Sequence, residues 1–185
     1  MKTLIINGSP RKNGDTYALL TALKDQLNGE IVEVSAYYDN ISPCIDCRRC
    51  WKEKGCTIKD DMAKIYDDDF ETVVIASPVY MSNLTGPLMS LASRFQAYYA
   101  AKRFLHNEME LRKKTAVLLL VGGGDGNEET AKKLAIWMFK KMNAVLSPDD
   151  VVLSLHTDAV PAKEDALALL KINGIARRIN MNNTH

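Results

Sequence analysis

Leu4-Ile5-Ile6-Asn7-Gly8-Ser9-Pro10-Arg11-Lys12-Asn13-Gly14-Asp15-Thr16 is the stretch on which the fold turns. Leu4-Ile5-Ile6 is a continuous apolar run, as expected of a central strand buried on both faces. A polar, turn-forming segment comes next, and then Leu20, Leu23 and Leu27 recur at helical spacing. Strand, loop and helix in that order make the first step of a parallel sheet covered by helices, and the same alternation continues along the chain.

Ile31-Val32-Glu33-Val34-Ser35-Ala36 places Val32, Val34 and Ala36 on one side and Glu33 and Ser35 on the other, the pattern of a half-exposed edge strand. Val73-Val74-Ile75-Ala76, Val117 to Val121 and Val151-Val152-Leu153 supply three more strands. Helical stripes lie between and after them: Leu88, Leu91, Ala92 and Phe95; Ala131, Leu134, Ala135 and Met138; Leu169, Ile172, Ala176 and Ile179. With the second strand at an edge, right-handed crossovers favour the order 2-1-3-4-5. The predicted architecture is α/β, a flavodoxin-like three-layer sandwich in a single domain spanning 1–185, with a cysteine-rich loop inserted at about 42–60. Its binding crevice belongs at the C-terminal ends of the strands, so the loops after strands one, three and four are expected to carry function.

Composition narrows the classes. A length of 185 residues suits one core that needs no disulfide staples. A net charge of +1 leaves no electrostatic footprint for nucleic acid or an anionic membrane. The first residues turn polar too soon for a signal peptide, and no apolar run is long enough to span a bilayer, so a cytoplasmic, reducing compartment is expected.

The loop after strand one suits a phosphate. Backbone N–H groups at a helix start carry partial positive charge, Ser9, Asn13 and Thr16 add hydroxyl or amide donors, and Arg11 can pair with phosphate oxygens. It is neither a Walker loop nor G-x-G-x-x-G, and Asp15, awkward beside a phosphate, reads as a helix cap with its carboxylate turned away. After strand three, Pro78-Val79-Tyr80-Met81-Ser82-Asn83 combines an apolar wall with polar edges, as a flat aromatic cofactor requires. After strand four, Gly122-Gly123-Gly124-Asp125-Gly126-Asn127 lets the backbone approach a ligand closely. Bland readings remain for each: a capped turn, a loop with Tyr80 in the core, and a flexible turn with Asn127 as N-cap.

All four cysteines fall within thirteen residues, as Cys44, Cys47, Cys50 and Cys56. Steps of three along a loop let three thiolates face one centre, and a further turn at Gly55 brings the fourth round, as the four corners of a 4Fe-4S cluster require. Zinc, a redox disulfide such as Cys47 with Cys50, and ordinary thiols are the alternatives. His106, His156 and His185 show no metal-ligand spacing, Asp67-Asp68-Asp69 reads as a solvated turn, and Asp60 and Asp61 read as charges at a helix start.

Gly8-Ser9-Pro10-Arg11 with Gly14 and Thr16, the cysteine run ending in Lys59-Asp60-Asp61-Met62, Ser77-Pro78-Val79-Tyr80, and Gly122 to Asn127 together resemble the flavodoxin-like NADPH-dependent FMN reductase family, and within it the iron-sulfur flavoproteins. The resemblance implies FMN, with its phosphate at Ser9, Arg11, Asn13 and Thr16 and its ring between Pro78 to Ser82 and Gly122 to Asp125. It also implies NAD(P)H as co-substrate, a small-molecule or ferredoxin-type acceptor, and a homodimer or homotetramer in which a neighbouring chain completes the flavin site. Tyr98, Tyr99 and Trp137 are its candidate contacts. Two residues depart from the family's habit: Asp15 replaces asparagine, and Met81 replaces an aromatic. A non-enzymatic FMN and iron-sulfur electron carrier, and a cysteine-based metal or redox sensor, are the competing functions.

Overall fold

A computed structural model describes residues 2–106, 111–124 and 127–181, so Asp125, Gly126 and His185 lie outside the described residues. Five strands form one parallel sheet in the order β2-β1-β3-β4-β5, as expected. They are β1 (Lys2–Asn7), β2 (Glu30–Ser35), β3 (Thr72–Pro78), β4 (Lys114–Val121) and β5 (Ala144–Ser154). Residue alternation sends Leu4 and Ile6 to one face and Ile5 to the other. Both faces are covered, which is why the central strands are apolar without a break.

On one face lie α1 (Asp15–Lys24) and α6 (Ala166–Met181), whose Leu19, Leu20, Leu23, Ile172, Ile175 and Ile179 pack on Ile5, Val74 and Leu119. The other face is covered by α2 (Ala63–Tyr66), α3 (Gly86–Ser93), α4 (Gln96–Phe104) and α5 (Glu129–Lys141), through Ile65, Leu88, Phe95 and Phe139 among others. Full burial of each such side chain contributes about 1.5–3 kcal/mol. Because every strand runs the same way, the strands end at one edge, with Pro78, Val121 and Ser154 in register and Asn7 level with Ala76.

Three local features differ from expectation. β5 begins at Ala144, seven residues before the apolar triplet, and carries Pro148. Ala116 pairs with Leu146 but Leu118 with Val151, so β5 bulges at 147–150, and on an edge strand Pro148 leaves no interior ladder bond unmade.

The apolar stripe from Leu88 to Phe95 does not run on as one continuous helix through Tyr98. The N–H groups of Arg94, Phe95, Ala97 and Tyr98 reach back three residues instead of four, and this tight turn separates α3 from α4. Tyr66 OH donates to the carbonyl of Arg94 at 2.6 Å, satisfying an acceptor that the break exposes. Tyr98 consequently turns inward, edge-on to Tyr66 and stacked on Phe95, while Tyr99 and Trp137 stay exposed.

Asp60 does receive the N–H of Met62, but its main partner is Arg94, at 2.6 Å, with both side chains buried. Asp68 likewise leaves its expected solvated turn to pair with the buried Lys114 at 2.5 Å.

Candidate functional site

β1 ends on Asn7, whose side-chain oxygen accepts the N–H of Ser9 at 2.9 Å and folds the loop back on itself. Gly8 is wedged against β3: its N–H bonds the carbonyl of Ala76 at 2.7 Å, and a Cβ there would stand 2.7 Å from Leu88 Cδ2. Thr85, buried at the start of α3, donates its hydroxyl to the carbonyl of Gly8 at 2.9 Å and ties the first and third loops together. Ser9 is buried and its Oγ accepts the N–H of Arg11 at 3.3 Å. Tyr38 OH donates to the carbonyl of Pro10 and braces the loop from the β2 side.

α1 then starts at Asp15 behind Gly14, and no side chain caps it. Its uncapped first-turn amides and partial positive charge make a seat for an anion. Asp15 is the first residue of α1 and does not cap it; its Oδ1 accepts the N–H of Ala162 at 2.9 Å, Oδ2 stands 3.9 Å from the Arg11 guanidinium, and the residue still borders the strand-end cavity. Arg11 itself is largely exposed.

From β3, Val79 N–H bonds the carbonyl of Val121 at 2.7 Å, and Tyr80 and Asn83 exchange two backbone bonds of 2.9 Å across a two-residue turn. Met81 and Ser82 both hold positive φ, 51° and 61°, as a type I′ hairpin demands, although neither is the glycine or asparagine that adopts it readily. The tip is strained and outward: Met81 is 98% exposed and Tyr80 46%, so Tyr80 is not a core residue. Ser82 O accepts the N–H of Ala131 at 3.2 Å and anchors the hairpin to α5.

After β4, Gly122 N–H bonds Ser154 O at 2.9 Å. A Cβ on Gly123 would stand 2.5 Å from the Asp158 carboxylate, whereas Gly124 faces open space. Asn127 Oδ1 accepts the N–H of Glu129 at 2.8 Å, but the N-cap position of α5 is Glu128, one residue later than expected.

The structure brings Ser9, Arg11, Asp15, Thr16, Pro78, Val79, Tyr80, Gly122 and Gly123 around one cavity of about 200 Å³. Asn13, Met81, Ser82, Asn83 and Gly124 do not line it; Asn13 and Met81 are exposed beside it. Thr157 and Asp158, from the loop after β5, do line it, and the sequence reading missed them. Backbone and side chain both hold them: Thr157 N–H and its hydroxyl Oγ1 both donate to Gly122 O, at 3.0 and 3.1 Å, and Asp158 N–H donates to Gly123 O at 3.2 Å. A switch-point fold places every strand end on that rim, which was the only signal pointing to them.

A second site lies along the cysteine loop. Cys44, Cys47, Cys50 and Cys56 line one small cavity of about 20 Å³ with Trp51 and Arg94. Cys44 N–H is held by Ser93 Oγ at 2.9 Å, and left-handed backbone at Asp46 and Arg48 bends the loop inward. All four thiols are free. Burial pushes the Cys50 thiol up, helped by its three neighbouring cysteines, while the N–H of Arg49 and the hydroxyl of Thr57 pull Cys47 down. Among the described residues no group of three His, Cys, Asp or Glu side chains is arranged to hold a metal ion. Two residues that line the cavity, Trp51 and Arg94, each carry a buried donor, Nε1 and Nε, with no hydrogen-bond partner.

Residues 1–158 match the model of a family described as NADPH-dependent FMN reductase. An iron-sulfur flavoprotein of Methanocaldococcus jannaschii is 35% identical over 137 residues, covering 71% of this chain and 67% of that one. An iron-sulfur flavoprotein of Methanosarcina thermophila is 26% identical over 186 residues, covering 97% and 93%. Among solved structures, an FMN-dependent NADH-azoreductase from Bacillus anthracis in complex with FMN superposes with a TM-score of 0.62 at 16% identity, over 97% of this chain and all of that one.

Proposed function

The chain belongs to the NADPH-dependent FMN reductase family, and from that membership we propose that it binds FMN at the strand-end cleft, reduces it with NAD(P)H, and passes the electrons to a small-molecule or protein acceptor by way of a 4Fe-4S cluster on its cysteine loop. The observation that carries the reading is the convergence of three predicted loops, with the uncapped start of α1, on one cavity. FMN, when bound, accepts hydride and can release electrons singly, so the protein's task is to hold, orient and shield.

The residues present fit that group. Ser9, Thr16 and the first-turn amides of α1 would hold the phosphate, and Arg11, now near Asp15, would turn to it as a paired donor. Gly122 and Gly123 leave main-chain groups at the wall. A volume of about 200 Å³ is small against the roughly 300–1,000 Å³ usual for cofactor clefts. The ring therefore belongs outside it, against the exposed Tyr80-Met81 hairpin and the Gly122 to Gly124 backbone. Asp125 and Asn13 complete the proposed set. A neighbouring chain in a homodimer or homotetramer would cover what this arrangement leaves open, and the exposure of Met81 beside the cavity supports that; Tyr99 lies instead in a groove with Leu111 and Asn143, toward the starts of β4 and β5. No acid or base from the protein is needed for hydride delivery.

Cys44, Cys47, Cys50 and Cys56 would hold the cluster, which relays single electrons. The support is four thiols on one cavity together with two buried donors that lack acceptors. Each thiolate of a cluster binds its own iron, so the four need not converge on one ion as a zinc site demands. Admission of iron and sulfide requires the loop to part, since the present space is about that of one water. Mixing the FMN-loaded protein with NADPH or NADH without oxygen tests the enzyme: rapid loss of the yellow absorbance is expected, and persistence of the colour would leave an electron carrier.

A further inference from the structure

We propose that Trp51 and Arg94 donate hydrogen bonds to sulfur atoms of the cluster held by the cysteine loop and thereby raise its reduction potential. The inference rests on the cluster proposed for that loop but concerns two residues to which the cluster alone gives no role.

Among the described residues, three buried side-chain polar atoms lack a partner: Thr3 Oγ1, Trp51 Nε1 and Arg94 Nε. Thr3 lies in β1; the other two residues border the same small space as all four cysteines. A buried N–H without an acceptor costs stability, and folded proteins rarely leave one so. Both belong to residues that line the cavity with all four thiols, where thiolates and sulfide would supply charged acceptors. Neutral thiols are weak acceptors, whereas the sulfur atoms of a cluster carry negative charge and accept well.

Both donors are held in advance. Arg94 is 1% exposed, and its two terminal nitrogens are committed to Asp60, to Ser42 O at 2.9 Å and to Ile58 O at 3.2 Å, so only Nε remains. The charge of Arg94 is balanced by Asp60, leaving the N–H dipole as its contribution. The Trp51 ring stacks on Phe104 with centroids 4.2 Å apart, and the Arg48 guanidinium lies over it at 4.9 Å. Donors to the sulfurs favour the more negative, reduced state over the oxidised one, which is the direction of a higher potential.

Trp51→Phe keeps the stacked ring and deletes only the N–H. Wild type and variant are loaded anaerobically with iron and sulfide, assayed for both elements, and titrated with dithionite while the cluster's electron paramagnetic resonance signal is followed. The variant should retain its iron and show a reduction equilibrium about tenfold less favourable, equal to ~59 mV for one electron. An unchanged potential in an iron-loaded variant overturns the donor role and leaves the cluster standing. Wild type without iron and sulfide overturns both. Should the variant fail to load, wild type carrying ¹⁵N-indole tryptophan decides: a nitrogen hyperfine coupling to the reduced cluster supports the proposal, and its absence overturns it.

Discussion

Replacing Arg94 with methionine should be among the most damaging single changes outside the cleft. Arg94 joins the α3–α4 turn to the segment before α2 through four hydrogen bonds, two of them to Asp60 at 2.6 and 3.3 Å. Side chains of the pair are 1% and 3% exposed, so water cannot take over when one partner goes. Methionine fills the volume but strands a buried carboxylate that keeps only the N–H groups of Ser42 and Met62, and it orphans the carbonyls of Ser42 and Ile58. Breaking a buried pair this way costs about 3–5 kcal/mol. Arg94→Lys retains the charge but loses the fork, and should cost about 2 kcal/mol.

Burial acts to raise the Asp60 pKa, but the hydrogen bonds from Arg94 and from the N–H groups of Ser42 and Met62 prevail and hold it below the ordinary carboxylate range. A depressed folded-state pKa gives stability that is complete above the unfolded value and is lost as pH falls through the folded one. The gap between wild type and Arg94→Met should therefore be widest near neutral pH and narrow on acidification. Urea unfolding at neutral and acidic pH reads both quantities. A neutral-pH difference below about 1 kcal/mol, the scale of an exposed pair, would refute the argument.

Gly8→Ala puts a methyl 2.7 Å from Leu88 Cδ2 and 3.3 Å from the Ala76 carbonyl, and should cost about 1–3 kcal/mol in unfolding experiments while loosening FMN binding, because the first loop must move off β3. Asp15→Asn keeps an acceptor for the Ala162 N–H but removes a carboxylate from the cavity and from the Arg11 guanidinium; FMN affinity measured by fluorescence quenching should rise by roughly threefold to tenfold at low salt, with the gain shrinking as salt is added. Cys47→Ser should abolish iron and acid-labile sulfide in anaerobic preparations while leaving FMN binding intact, since the loop stands apart from the cleft lining; iron retained in the variant would remove Cys47 from the ligand set.

Strands were legible because a sheet buried on both faces must be written as unbroken apolar runs, and Leu4 to Ile6 or Val73 to Ala76 have no other reading. The start of β5 was not, because Ser147-Pro148-Asp149-Asp150 carries turn chemistry and only its place at the sheet edge makes it a bulge. Nor was the break before α4: Leu91, Ala92, Phe95 and Tyr98 stay in helical phase, and nothing local announces that the ladder shortens so that Arg94 can meet Asp60, 34 positions away. An arginine within an apolar stripe was the one hint. In the cleft, Ser9, Arg11, Thr16, Gly122 and Gly123 line the cavity while Ser82 and Gly124, marked by the same chemistry, do not, and Thr157 and Asp158 enter from the loop after β5, which no motif singled out.

Titrating FMN and riboflavin into the flavin-free protein tests the central claim most directly, because the two differ only in the phosphate assigned to Ser9, Thr16, Arg11 and the start of α1. FMN should quench to one equivalent and bind at least about tenfold more tightly than riboflavin, the phosphate being held by charge-assisted bonds at a helix start. Equal affinities, or no saturable binding of FMN, would contradict the account.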